Sequence, residues 1–416
     1  MRIAFFTNCY KPLVNGVVTS IASLKEAYER KGHETYVFAP QVEDYVDQEK
    51  DIFRYKSVNL TKKVKYPLPI PLSFKAKKII TEFDPDIIHL HHPFLVSIPA
   101  TLYGEELGIP KILTLHSQYE QYAYYAAPIP PVITREVIKK IIFNLSYKID
   151  CLTTPSASMK KLAEIYGIKN RIEVIPNALD LKLFRQKNET KGGEIKKRYH
   201  LKEEDKIILY VGRVAPEKNI DTLIKALEIV KRRGIKEAKL LIVGEGPAME
   251  ELKELVKSLQ MEKEVIFAGA VNYEEIRDYY QIAYLFAIAS TAETFGMVIV
   301  EALASGIPVL AVKSPGAVDI LTEGVDGLLV DNRVEKFAEA LEKIIRDPGL
   351  RVKLSQQALK TSENYDLNNI SERMLNLYRE VIERKNLERK GKKNFIKDIL
   401  AFSFNYEGRV KVRNAK

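Results

Sequence analysis

At 416 residues, 46% hydrophobic and +10 in formal charge, the chain is long enough for two or three packed globular domains. Two cysteines, Cys9 and Cys151, exclude a disulfide framework. No run approaches the roughly 18 apolar residues of a membrane span, and the opening MRIAFFTNCYKP turns polar too soon for a secretory signal, so a cytoplasmic location is expected.

In chain order, RIAFFTN reads as a strand, SIASLKEAYERKG as an amphipathic helix and HETYVFAP as a second strand, a β-α-β opening with parallel pairing. DIIHLHHP and KILTLHS add two strands. Helical KKIIFNLSYKI, strand-like DCLTTPS, helical ASMKKLAEIYG and RIEVIPN complete the first half. The polar KNETKGGEIKKRYHLKEED reads as a linker. A second α/β unit opens at DKIILYVGR and continues through strand-like KLLIVGEGP, VIFAGAV, YLFAIAS and PVLAV. The expected fold is α/β with two doubly wound domains facing across a cleft, where ligands bind beyond the carboxyl ends of the strands. The expected boundaries are 1–185 for the first domain and 186–365 for the second. A helix over 366–388 and a basic tail over 389–416 follow.

The excess positive charge is uneven. Residues 384–416 carry eleven Lys or Arg against Glu388, Asp398 and Glu407, and residues 54–78 carry eight with no acid, interleaved with YPLPIPLSF. Near an anionic leaflet each such residue contributes about 1 kcal/mol, so both patches, with Tyr66, Leu68, Ile70, Leu72 and Phe74 between the charges, fit a membrane surface. A solvated basic face is the simpler alternative. No nucleic-acid motif appears, so nucleic acid is not an expected partner. Abundant Lys and Glu without Trp is a composition met in thermophiles.

The densest signal is LFAIASTAETFGMVIVEALASGIPV, a strand, a polar turn and a helix. Backbone N–H groups of Thr294, Phe295, Gly296 and Met297 would face an anion at the helix start. Glu293 and Glu301 flank it. An acid before a helix also simply complements the dipole, but Glu301 lies in an apolar stretch and needs a partner. In YVGRVAPEKN, Arg213 and Lys218 supply a planar fork and a point charge for a diphosphate, or are ordinary solvated residues. IVGEGP places Glu245 in a turn that is a weaker nucleotide-side signal. Asn15-Gly16 sits where a helix would begin, and His116 ends a strand, followed by Tyr119, Glu120 and Tyr122. His89, His91 and His92 suggest a metal, yet strand alternation puts only His89 and His91 on one face. They read instead as a polar strand end lining the cleft, with no metal site expected.

Two glutamates separated by seven residues that include Phe-Gly, followed by EALASGIPV, resemble the signature of retaining family 4 glycosyltransferases of GT-B fold. The resemblance implies that Glu293 holds the donor sugar and Glu301 the nucleotide ribose. It also implies that Arg213 and Lys218 grip the diphosphate, that Gly16 belongs to a glycine loop facing the cleft, that His116 stands against the sugar, and that the last helix crosses back onto the first domain. Membership of that family implies retention by a front-face route, and HSQYEQYAYY is similar to its diacylglycerol glucosyltransferases, which implies UDP-glucose as donor and a lipid hydroxyl as acceptor near Tyr119, Glu120 and Tyr122. With no obvious Asp-x-Asp site for a divalent ion, and with Arg213 and Lys218 able to stabilise the leaving group, no cofactor or metal is expected. Two departures stand out: Ala178 in VIPNALD and Pro315-Gly316 in SPGAVDI replace more usual glycines, the second weakening the glucose assignment. A soluble sugar or polysaccharide precursor is the alternative acceptor. A non-catalytic sugar-nucleotide or lipid binder is a third reading, which the presence of all four active-site charges opposes.

Overall fold

The computed structural model describes residues 1–59, 67–120, 130–186 and 188–413. Their strands, in chain order, are β1 (Arg2–Phe6), β2 (Glu34–Pro40), β3 (Ile52–Tyr55), β4 (Ser57–Asn59), β5 (Pro67–Pro69), β6 (Ile87–Leu90), β7 (Lys111–Thr114), β8 (Cys151–Thr154), β9 (Ile172–Val174), β10 (Lys206–Val211), β11 (Ala238–Val243), β12 (Val265–Gly269), β13 (Leu285–Ile288), β14 (Val309–Val312) and β15 (Gly327–Val330). They form a seven-stranded sheet in the order β3-β2-β1-β6-β7-β8-β9, a six-stranded sheet in the order β12-β11-β10-β13-β14-β15, and a β4-β5 hairpin. Every pairing within the two large sheets is parallel. Strand order reverses between β1 and β6 and again between β10 and β13, and the carboxyl side of such a switch point is where doubly wound sheets bind ligands.

Alternation along β1 builds the two faces of the first sheet. Ile3 and Phe5 enter one apolar cluster, Ala4 and Phe6 the other, and all four are fully buried. The first cluster is completed by the helix Gly16–Arg30 through Val18, Ile21, Leu24 and Tyr28. Asn15 caps that helix, its side chain accepting from the N–H groups of Val17 and Val18 at 3.0 Å. The other contribution comes from the 47-residue helix Leu367–Arg413. Its Leu367, Ile370, Met374, Leu375, Tyr378 and Val381 pack beside Phe5 and Tyr28, so the chain end returns to the first domain as the resemblance implied. The same helix continues through the basic stretch expected to be a tail. The chain leaves the first domain and returns to it side by side, where the Leu179 N–H donates to the Tyr365 carbonyl and the Leu367 N–H to the Leu179 carbonyl across the Leu179–Asp366 bridge.

Two expectations change, and two strands that the sequence reading did not name appear. The polar segment read as a linker forms the helix Glu189–Arg198, capped by Asn188, with Ile195 buried in the second core and Gly192 pressed against Ile282. Its charges lie on the exposed side and leave one apolar position per turn, too few for a periodic signal. DIFRY forms β3 and GLLV forms β15, both short edge strands without strong alternation. Arg54, counted in the membrane-facing basic patch, is instead tied into the first domain. Its guanidinium pairs with Asp47 at 2.6 Å and donates to the carbonyls of Lys11 and Pro40. Residues 60–66, including Tyr66 and three of the patch lysines, lie outside the described residues.

Candidate active site

The loops after β1, β6, β7, β10 and β13 bring nearly all the singled-out residues to one place, where the two sheets meet end to end. On the second domain, Gly296 adopts φ +76°, a left-handed conformation open to glycine, and this turns the chain into the helix Met297–Ala304. No side chain caps that helix, although the N–H of Ile299 in its first turn donates to the Gly296 carbonyl at 2.9 Å. Gly316 has a different task. A Cβ there would fall 2.7 Å from the nitrogen of Phe295, and its own N–H donates to the carbonyl of Glu293 at 2.7 Å. Pro315-Gly316 therefore holds the turn that carries Glu293.

Lys218 meets Glu293 in an ion pair of 2.5 Å, with 22% and 13% of the two side chains exposed. Arg213 pairs with Glu217. The two cations expected to grip a diphosphate thus sit at one strand end, each accompanied by a carboxylate, and a bound diphosphate would have to compete for or share them. Glu217 escaped sequence reading because an acid four residues from an arginine is ordinary surface patterning.

Glu301 is 3% exposed. Its carboxylate accepts from the hydroxyl of Tyr280 at 2.8 Å and from that of Tyr273 at 3.3 Å. Burial pushes its pKa up from 4.5 to about 7 against the pull of both hydroxyls. This is the partner that its apolar surroundings demanded. The signal was present in YEEIRDYYQ, the helix Tyr273–Gln281, which carries three tyrosines ahead of β13.

Two residues named for backbone contact to phosphate have side chains engaged elsewhere. Phe295 is 4% exposed and packs edge-on against Tyr365. Thr294 fastens the domains together: its hydroxyl donates to the carbonyl of His116 at 3.0 Å, and its own carbonyl accepts from Ser156 at 3.0 Å. Gly16 faces Met297 from the other domain, where a Cβ would stand 3.5 Å from the methionine Cγ. Glu245 closes the far side. Its carbonyl accepts from Val214, linking the ends of β10 and β11, and it lines an open hollow of about 340 Å³ with Gly246, Met249, Lys253, Phe267 and Gly269.

Part of the first-domain wall differs from expectation. His89, His91 and His92, read as a polar strand end lining the cleft, are buried, and His116 is buried beside them. His89 lies between Tyr378 of the crossing helix and Thr114, at 2.6 Å from each. His91 Nδ1 lies 3.0 Å from His116 Nε2, and His92 Nδ1 accepts from the N–H of Asn8 at 3.1 Å. Burial lowers the pKa of all four, with neighbouring histidines adding to it at His91 and His116, so they are neutral near pH 7. Among the described residues no group of three or more His, Cys, Asp or Glu could hold a metal ion. Tyr119 packs against Phe94 and His92, and Glu120 lies beside Tyr166, whose phenol is raised by burial and by that carboxylate. Tyr122 lies outside the described residues. Ala178 is buried, with neighbouring Asn177 accepting from Ser20 at 3.2 Å.

Two doubly wound domains joined at their switch points define the GT-B class of fold. Anabaena HepE solved with UDP-glucose superposes on it with a TM-score of 0.73 at 20% identity, covering 91% of this chain and 99% of that one. The chain belongs to the glycosyltransferases: residues 14–183 match the model "Glycosyltransferase Family 4" and residues 193–361 the model "Glycosyl transferases group 1". It is similar to alpha-monoglucosyldiacylglycerol synthase of Streptococcus pneumoniae, 30% identical over 84% of this chain and 80% of that protein. It is also 30% identical to a GDP-mannose-dependent alpha-mannosyltransferase of Corynebacterium glutamicum, over 82% and 79%.

Proposed function

We propose that the protein transfers glucose from UDP-glucose to a lipid hydroxyl such as that of diacylglycerol, with retention of configuration and without a divalent ion, at the cytoplasmic face of a membrane. The observation that carries this reading is the Lys218–Glu293 ion pair, which joins the end of β10, where Arg213 pairs with Glu217, to the turn before the uncapped helix that starts after Gly296 and carries Glu301. Diphosphate oxygens take the helix N–H groups and the two cations, which stabilise the departing charge where a metal would otherwise serve. Glu293 holds the sugar, and Glu301 accepts from the ribose. The bond from the anomeric carbon to the diphosphate breaks as the acceptor oxygen attacks from the same face, and the acceptor proton passes to the departing phosphate oxygen.

The lipid acceptor is supported by the name of the pneumococcal relative and by the surface. Ile70, Leu72 and Phe74 are 46%, 85% and 96% exposed beside Lys75, Lys77 and Lys78. Val132, Ile133 and Val137 are exposed on the helix Pro131–Ser146, which also carries Arg135, Lys139 and Lys140. Apolar side chains between cations match the interface of an anionic bilayer. Among the described residues no helix is long and apolar enough to cross a membrane. The second reading keeps the site and changes the substrates, to GDP-mannose as donor, which the equal identity to the corynebacterial mannosyltransferase favours, or to a soluble acceptor. Calorimetric titration with UDP-glucose and GDP-mannose in EDTA, with the product anomer read by NMR, tests donor, metal and stereochemistry together. UDP-glucose binding and an α-linked product are expected; preference for GDP-mannose, a need for added metal or a β-linked product overturns the corresponding part.

A further inference from the structure

Two hydrogen bonds that cross between the domains meet at the start of one helix, Ala157–Ile165, which follows β8. Ser156 caps it: its hydroxyl accepts from the N–H of Met159 at 3.3 Å and donates to the Thr294 carbonyl of the second domain at 3.0 Å. In the first turn, the N–H of Ser158 donates to the Asp319 carboxylate of the second domain at 2.8 Å. A carboxylate placed there gains from the charge-assisted hydrogen bond and from the helix dipole together. The direction of both cross-domain bonds is fixed, because a backbone N–H can only donate and a carbonyl can only accept.

Each partner is anchored in its own domain. Met159 and Ala163 of the Ala157–Ile165 helix are buried in a core cluster of the first domain. Asp319 is half-buried on the short helix Pro315–Ile320, whose Ala317 and Ile320 belong to the core of the second. That short helix also holds the turn of Glu293. The Gly316 N–H donates to the Glu293 carbonyl at 2.7 Å, and a Cβ on Gly316 would stand 2.9 Å from that oxygen and from the carbonyl carbon of Thr294, so the two segments are packed backbone against backbone. The first-domain helix therefore reaches the turn twice, directly at Thr294 and through Asp319, one helical turn beyond Gly316.

We propose that Asp319 is a positioning residue: its hold on the start of the Ala157–Ile165 helix fixes the short helix Pro315–Ile320 and, through Gly316, the turn that presents Glu293 to the donor sugar. This rests on the reading that Glu293 holds that sugar. Bringing the domains together and setting the sugar carboxylate then become one event. A nucleotide without a sugar does not call on Glu293 in this way, and its binding does not depend on the contact.

A pair of variants and a double-mutant cycle test the link. Asp319→Ala removes the acceptor, whereas Asp319→Asn keeps a side-chain oxygen for the Ser158 N–H. Transfer should be slowed roughly tenfold in the first, the loss of one charge-assisted hydrogen bond, and stay near wild type in the second, with UDP affinity near wild type in both. In a Glu293→Ala background, Asp319→Ala should slow the reaction no further, because Asp319 acts through Glu293. A loss of the same size in that background overturns the proposal and leaves Asp319 as a contact between domains only. Hydrogen exchange of the ligand-free protein reads the link without any substrate: Asp319→Ala should speed exchange in peptides spanning 293–297 and 314–320. Exchange equal to wild type there overturns the proposal whatever the protein binds. If exchange rises as expected while Glu293→Ala leaves transfer intact, the sugar assignment fails and the coupling through Asp319 stands.

Discussion

The two walls of the cleft hold their polar groups in opposite ways. On the second domain, charge is local and paired: Lys218 with Glu293, Arg213 with Glu217, and Glu301 under two tyrosine hydroxyls, all within or beside two strand-to-helix turns. On the first domain, four neutral imidazoles from β6 and the segments that follow β6 and β7 are buried together, and one of them, His89, is held by Tyr378 of a helix almost three hundred residues further on. The charged wall suits a group that carries and loses negative charge, since paired ions can exchange partners with a phosphate. The neutral wall suits orientation, because buried uncharged donors change little in strength with pH or salt.

The largest expected effect separates binding from chemistry on the charged wall. Glu293→Ala should lower the transfer rate by about a hundredfold or more while nucleotide affinity shifts only a few-fold, measured by steady-state kinetics beside calorimetry. A loss confined to affinity would show that Glu293 serves the nucleotide alone. Glu301→Ala should do the reverse, weakening nucleotide binding by roughly tenfold.

That pairing also explains how far the sequence could be read. The charged wall was legible as a cluster because its parts lie within a few residues of glycine turns: Gly296 before Met297, Arg213 and Lys218 after β10. Glu301 stood out by being charged among small apolar residues. The histidine wall was not legible, because whether His89 and His91 face solvent or core depends on Tyr378 arriving from the chain end, and one strand's alternation cannot show that. Thr294 shows the converse. Its backbone N–H was read from the sequence as facing an anion at the helix start, whereas the role of its hydroxyl, donating to the His116 carbonyl, exists only once both domains are built.

The walls should also differ in pH response. Folding favours the protonated form of Glu301, whose pKa rises from 4.5 to about 7, so its ionisation costs stability that grows between about pH 4.5 and 7 and is constant above. The ribose is expected to need the carboxylate. Nucleotide affinity should therefore fall as pH drops through about 7, and Glu301→Gln should remove that step. A step that survives the substitution belongs to another group.

Smaller effects concern the frame. Gly316→Ala places a methyl against the backbone of residues 293–295 and should cost about 1–3 kcal/mol in unfolding, read from thermal melts. An unchanged melting temperature would mean that the turn relaxes without cost. Thr294→Val removes one interdomain hydrogen bond, worth about 1 kcal/mol, and small-angle scattering should detect a slight opening of the two domains. At the surface, Leu72→Ser with Phe74→Ser, or truncation after Glu388, should reduce sedimentation with anionic liposomes and leave nucleotide affinity intact. Full retention on liposomes in both would remove these segments as membrane contacts.

The most direct test of the account is to incubate the purified protein with UDP-glucose and diacylglycerol in anionic mixed micelles containing EDTA, and to look for glycolipid by mass spectrometry. A monohexosyl diacylglycerol is expected, absent from the Glu293→Ala variant. Hydrolysis of UDP-glucose with no glycolipid formed would contradict the lipid acceptor and turn the search to soluble ones.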